Sequence, residues 1–154
     1  MQRLLCIPRA VLLILALLTP VHFAVAQGQA FNNAERISAH YPDWMRWIPD
    51  TTSLAALSLP GTHDTMANEY PNFIFEKGVV TQSLELRPQL DAGIRVLDIR
   101  ARHIGNKFMM HHGEYYVEAT FDDVLITAVH FLQGHPTETI LMRVKEEHTP
   151  ENVS

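Results

Sequence analysis

The sequence predicts an α/β fold of short strands alternating with helices, and three observations carry that expectation. Residues 94–102 alternate polar and apolar side chains with the period of two that a strand imposes. Residues 120–134 repeat apolar side chains at helical spacing behind a Thr120/Asp123 pair that resembles a capping box. Glycine and proline punctuate the chain between such segments, at Pro60-Gly61, Gly93, Gly105 and Gly134. Strand and helix patterns in alternation are the signature of βα units.

Residues 1–26 read as a signal peptide. Arg3 and Arg9 supply positive charge, 10–18 form an apolar run, and Ala24-Val25-Ala26 has the small-x-small form that precedes cleavage. The apolar run is shorter than the roughly 20 residues a membrane span needs, so export with cleavage after Ala26 is expected. The single cysteine, Cys6, lies in this segment, and the remaining 128 residues can form no disulfide. Their ten Lys and Arg against seventeen Asp and Glu give a charge of about −7 with no basic patch. That balance argues against nucleic acid and against electrostatic capture by an anionic membrane. Residues 27–43 are polar and unpatterned, a loose arm, and 44–154 form the domain.

Trp44-Met45-Arg46-Trp47 reads as one helical turn that Ile48-Pro49-Asp50 breaks. Residues 54–59 read as a first buried strand closed by Pro60-Gly61, which places His63 just past a strand's C-terminal end. Residues 82–92 suit a helix with Leu84, Leu86 and Leu90 on one side, Pro88 in the first turn or at a kink, and Gly93 as C-terminal cap. The strand over 94–102 turns Val96, Asp98, Arg100 and Arg102 to one face and Leu97, Ile99 and Ala101 to the other. Gly105-Asn106 makes a turn into a strand over 108–112, where alternation separates His112, with Met110, from His111, with Met109. The helix to Gly134 carries Phe121, Val124, Leu125, Ala128 and Leu132 on its apolar side. A fourth strand over 139–145 sets Ile140, Met142 and Val144 against Arg143 and Lys145, with Glu147 continuing the polar face.

The motifs that carry chemistry are Ser58 to Thr65, Asp98-Ile99-Arg100 and His111-His112-Gly113. Imidazole titrates near pH ~6.5, so two histidines can act as base and acid near neutrality, and an arginine can hold charge building on a phosphorus centre. For a phosphodiester with a neighbouring hydroxyl, attack is intramolecular and needs those three parts. His63, His112 and Arg100 can fill them, with Asp64 or Asp98 orienting an imidazole. The structural alternative is an exposed edge strand whose ion pairs contribute about 0–1 kcal/mol each. A single metal ion shared by His63, Asp98 and His112 is a further alternative. His103, His130, His135 and His148 read as solvated or structural.

From Trp44 to Glu147 the chain resembles the bacterial phosphatidylinositol-specific phospholipase C family. The resemblance is carried by Ile48-Pro49-Asp50, Ser58 to Thr65, the run from Gln89 to Arg95, Asp98-Ile99-Arg100, His111-His112-Gly113 and Pro136 to Ile140. It implies a distorted TIM barrel with its site at the C-terminal ends of the strands. His63 then matches the general base, His112 the general acid and Asp64 the partner of that acid. Arg100 matches the phosphorane-stabilising arginine, Asp98 lies beside it, and Lys145 matches an inositol-contacting lysine. The implied substrate is phosphatidylinositol or a related inositol phospholipid at a membrane surface, and the implied products are diacylglycerol and a cyclic inositol phosphate. No cofactor is implied: Arg100 would repel a cation, so calcium independence is expected, and no protein partner is evident.

A full barrel takes ~250 residues, so the first half of a distorted TIM (β/α) barrel is expected here. In the family, a carboxylate that orients the base, further inositol contacts and an aromatic rim belong to the other half. Two readings compete with the lyase. One is an inactive or binding-only fragment, favoured over independent activity for these residues alone. The other is a metal-dependent glycerophosphodiester phosphodiesterase.

Overall fold

The computed structural model describes residues 38–68 and 76–153. The expected cleavage site after Ala26 and most of the arm lie outside the described residues. Two 3-10 turns, Trp44–Trp47 and Leu54–Ala56, precede strand β1 (Gly61–Thr62). Helices α1 (Glu76–Val79) and α2 (Leu86–Asp91) lead to β2 (Val96–Ile104), β3 (Lys107–His112) and β4 (Tyr115–Thr120). Helix α3 (Phe121–Gly134) and strand β5 (Leu141–Glu146) complete the order.

Among the described residues, the five strands join one sheet organised around β2. β1 and β5 run parallel to β2, while β3 pairs with it antiparallel and carries β4 at its far edge. β2 is thus an internal strand, which removes the exposed-edge reading of its charged face. Its alternation is as expected: Leu97 and Ile99 are fully buried and Ala101 nearly so, while Val96, Asp98 and Arg100 are half-buried. The buried side packs with Leu86, Leu90, Met110, Val117, Val124 and Phe131 into the main core.

The first strand differs from the expectation. Residues 54–56 form a 3-10 turn with Leu54 exposed, and the strand is the two-residue Gly61–Thr62. The reason is close approach: a Cβ on Gly61 would lie 2.9 Å from Val96 Cβ, so only glycine lets β1 reach β2 here. His63 still follows a strand's C-terminal end directly. The second helix is shorter than 82–92 and begins at Leu86, which puts Pro88 in its first turn where a missing N–H is tolerated. Gly93 caps it with φ +111°, and its carbonyl accepts from Trp44 Nε1 at 2.9 Å.

Strand β4 is absent from the sequence reading. Its pairing with β3 shifts register between Met109 and His111, and Glu118 takes a φ of 56°. That irregularity interrupts the alternation that would have marked it. Helix α3 has the expected capping box: Thr120 Oγ1 accepts from Asp123 N–H, and Asp123 Oδ2 accepts from Thr120 N–H at 2.8 Å. Its buried stripe is Val124, Ala128 and Phe131, so Leu125, assigned to that stripe by spacing, faces solvent instead.

Candidate active site

The charged side chains meet where the C-terminal ends of β1 and β5 flank the middle of β2. Register explains the meeting. Thr62 pairs with Leu97, so the residues after β1 arrive beside Asp98. On the other side, Arg143 pairs with Asp98 and Lys145 with Arg100. Thr65 renews the ladder after the chain leaves β1: its N–H donates to Asp98 O at 2.9 Å, and its hydroxyl accepts from Asp98 N–H at 2.9 Å.

Asp98 is the anionic anchor. Oδ2 accepts from Asp64 N–H at 3.1 Å and from Arg100 Nε at 3.0 Å, while Oδ1 accepts from Arg143 Nη1 at 2.8 Å. Burial works against its ionised form, but these three donors outweigh it and hold its pKa below the usual carboxylate value. Arg100 extends from Asp98 to Glu147 Oε1, 3.1 Å from Nη1, and places Nη2 3.2 Å from His63 Nδ1. Burial opposes its charge, yet Asp98, Glu147 and Asp64 together raise its pKa, so the cation persists. His63 Nδ1 also lies 3.4 Å from Asp98 Oδ2, and its side chain is 62% exposed, open to an incoming hydroxyl.

The opposite side of the site is drier. The Asp64 side chain is only 2% exposed, and its Oδ2 lies 3.1 Å from His112 Nδ1. That distance suits an ion pair, but the two groups are not aligned as a hydrogen bond. Burial pushes the Asp64 carboxyl up to about 7; Arg100 and Lys145 pull it down, and Glu147 and Asp98 add to the rise. His111 is turned away from this pair. It is buried, its ring centroid 5.8 Å from that of Tyr116, and burial reinforced by Arg102 lowers its pKa. Alternation thus separated the two histidines correctly.

All six residues singled out in the sequence are brought together, and two more join them. Arg143, on the polar face that alternation predicts, donates from Nη1 to Asp98 Oδ1. Glu147 was read only as continuing that face, yet it is a hub: Oε1 accepts from Arg100 Nη1 and from Gly113 N–H, both at 3.1 Å, and Oε2 accepts from Lys145 Nζ at 2.7 Å. Burial disfavours its charge, but Lys145, Gly113 and Arg100 bring its pKa below the ordinary value. The signal available in the sequence was its place two residues beyond Lys145 on the same face. The metal alternative is not assembled: among the described residues no three His, Cys, Asp or Glu side chains are arranged to hold an ion. His135, read as solvated or structural, is structural, with Nδ1 2.7 Å from Asp43 Oδ1.

Comparison with known proteins shows the family. The family pattern described as "Phosphatidylinositol-specific phospholipase C, X domain" matches residues 57–154. The 1-phosphatidylinositol phosphodiesterase of Listeria monocytogenes is 43% identical over 119 residues, 76% of this chain and 37% of that protein. The Staphylococcus aureus protein of the same name is 28% identical over 116 residues, 75% of this chain and 37% of its own length. A solved structure of the Staphylococcus aureus phospholipase superposes with TM-score 0.72 at 27% identity, covering 75% of this chain and 38% of that one. The Listeria monocytogenes structure gives TM-score 0.63 at 43% identity, covering 70% and 39%. The chain spans under two fifths of the length of these relatives, and its curled sheet corresponds to part of their TIM barrel. The chain belongs to the phosphatidylinositol-specific phospholipase C family and carries its X domain.

Proposed function

We propose that this chain carries the acid–base and phosphate-holding groups of a phosphatidylinositol diacylglycerol-lyase. The inositol 2-hydroxyl attacks phosphorus, forming the new O–P bond of a cyclic inositol phosphate and breaking the bond to the glycerol oxygen. His63 takes the hydroxyl proton. Arg100 stabilises the charge on the non-bridging oxygens, and His112 delivers a proton to the departing diacylglycerol oxygen. Asp64, buried and with its Oδ2 3.1 Å from His112 Nδ1, orients the acid imidazole. Asp98 and Lys145 contact the inositol ring.

The observation that carries this reading is the position of Arg100, which touches the exposed His63 on one side and the Asp98 and Glu147 carboxylates on the others. Those carboxylates are already satisfied by cationic side chains, which supports a reaction run without calcium or another cofactor. The substrate is an inositol phospholipid presented by a membrane, which is also the substrate class in the relatives' names. Release of diacylglycerol from phosphatidylinositol vesicles, with chelator present, tests the proposal. A lyase predicts cleavage that persists in chelator and vanishes in His63→Ala and His112→Ala, whereas no cleavage by the chain would favour the inactive or binding-only reading. Activity that needs a divalent ion would favour the metal-dependent phosphodiesterase, and full activity in either variant would refute the assignment.

A further inference from the structure

The His63–Asp64 peptide is the strained point of the site. Asp64 has φ 43°, in the left-handed region that aspartate enters more readily than most side chains but still at a cost, so the neighbours that hold it matter. This turn lets two adjacent residues serve opposite sides of the site, His63 facing solvent and Asp64 facing His112. The Asp64 N–H donates to Asp98 Oδ2 at 3.1 Å and its carbonyl accepts from Ala67 N–H at 2.9 Å, and further hold comes from residues 81 and 82. Gln82 Nε2 donates to His63 O at 2.6 Å. The Thr81 hydroxyl is shared between His63 O at 3.1 Å and Asp64 O at 3.0 Å. Both residues also donate their backbone N–H to Ala67 O, at 2.8 and 3.1 Å, which binds the two segments into one unit. Gln82 is buried, so its amide has little water to turn to if the contact is lost.

We propose that Thr81 and Gln82 are positioning residues that clamp the carbonyls of His63 and Asp64 and so hold the left-handed turn. Their catalytic meaning rests on the roles proposed above; the clamp itself does not. Thr81→Val and Gln82→Met remove the donors at similar size, and Thr81→Ser keeps the hydroxyl. In the whole chain, carbon-13 NMR follows the Asp64 carboxyl while thermal melts report folding. Wild type and Thr81→Ser are expected to titrate at Asp64 near 7. In the folded double variant the midpoint falls by about two units or more, toward the ordinary aspartate value of about 3.9, because the released carboxyl reaches water. Should the double variant not fold, Thr81→Val alone gives the same readout with a fall of about one unit. An unchanged Asp64 midpoint in folded variants overturns the clamp. In the vesicle assay kcat falls by up to about 10²-fold while KM stays within about twofold, and equal loss in Thr81→Ser would also overturn it. A wild-type chain that cleaves nothing overturns the functional reading, and the titration still decides the clamp.

Discussion

Arg95 and Arg100 stand five residues apart on one stretch of chain, and each is the centre of a charged cluster. Arg95 and its partner Glu138 are both sealed from solvent, 2.7 Å apart. The Arg95 guanidinium also donates to the carbonyls of Leu90, Ile94 and Pro42, and it stacks 4.8 Å from the Phe131 ring. Glu138 in turn accepts from Met45 N–H at 3.1 Å, which ties the first turn of the domain to the segment entering β5. Arg100 is satisfied differently, by side chains that are themselves partly open, and one edge of it faces the exposed His63. The same residue type is a structural rivet before β2 and, in the proposed reaction, the phosphate-holding group in its middle. What separates them is whether every donor is spent on buried acceptors, a carboxylate and carbonyls, or one is left beside a solvent-facing group.

The largest effect is expected at the sealed cluster. Arg95→Met leaves Glu138 buried and unpaired, and a loss of about 3–5 kcal/mol in urea unfolding is predicted. A loss under 1 kcal/mol would erase the contrast. At the open cluster the order reverses: Arg100→Lys cannot span Asp98, Glu147 and His63 with one fork. Cleavage by that variant should drop about 10²–10³-fold in kcat, while stability moves by under about 1 kcal/mol. Paired kinetic and urea measurements check both halves.

Asp64 sharpens the comparison through pH. Its folded pKa of about 7 exceeds its unfolded value, so between about pH 4 and 7 the folded chain binds the extra proton and stability falls as pH rises. Asp98 and Glu147 act oppositely, since their lowered pKa values add stability that is lost as pH falls through the carboxylate range. Asp64→Asn should therefore gain about 2 kcal/mol on wild type between pH 5 and pH 8 in unfolding experiments. No relative gain would mean that Asp64 is not desolvated. The smallest effect belongs to Arg143, which is 63% exposed. Arg143→Gln should cost under about 1 kcal/mol at low salt, and the cost should fade at about 0.5 M salt.

The sequence discloses the parts of this architecture that local pattern can encode. β2 was legible because its two faces meet opposite environments, and α3 because a capping box marks its start. His63, Asp64, Arg100 and His112 were legible as residue types in ordered motifs. β1 was displaced because apolar residues 54–59 look more like a strand than Gly61–Thr62, whose pairing depends on a missing side chain rather than on a present one. β4 was hidden by the irregular Glu118. The hub role of Glu147, the pairing of Arg143 with Asp98 and the clamp by Thr81 and Gln82 all depend on contacts between distant segments. No periodicity within one segment reports those.

Phosphorus-31 NMR of phosphatidylinositol vesicles incubated with the purified chain tests the central claim most directly, because it identifies the first product. A cyclic inositol phosphodiester resonance is expected first, with chelator present, and it is expected to be absent in His63→Ala. A first product that is an inositol phosphomonoester, or a cyclic product formed equally well without His63, would contradict that claim.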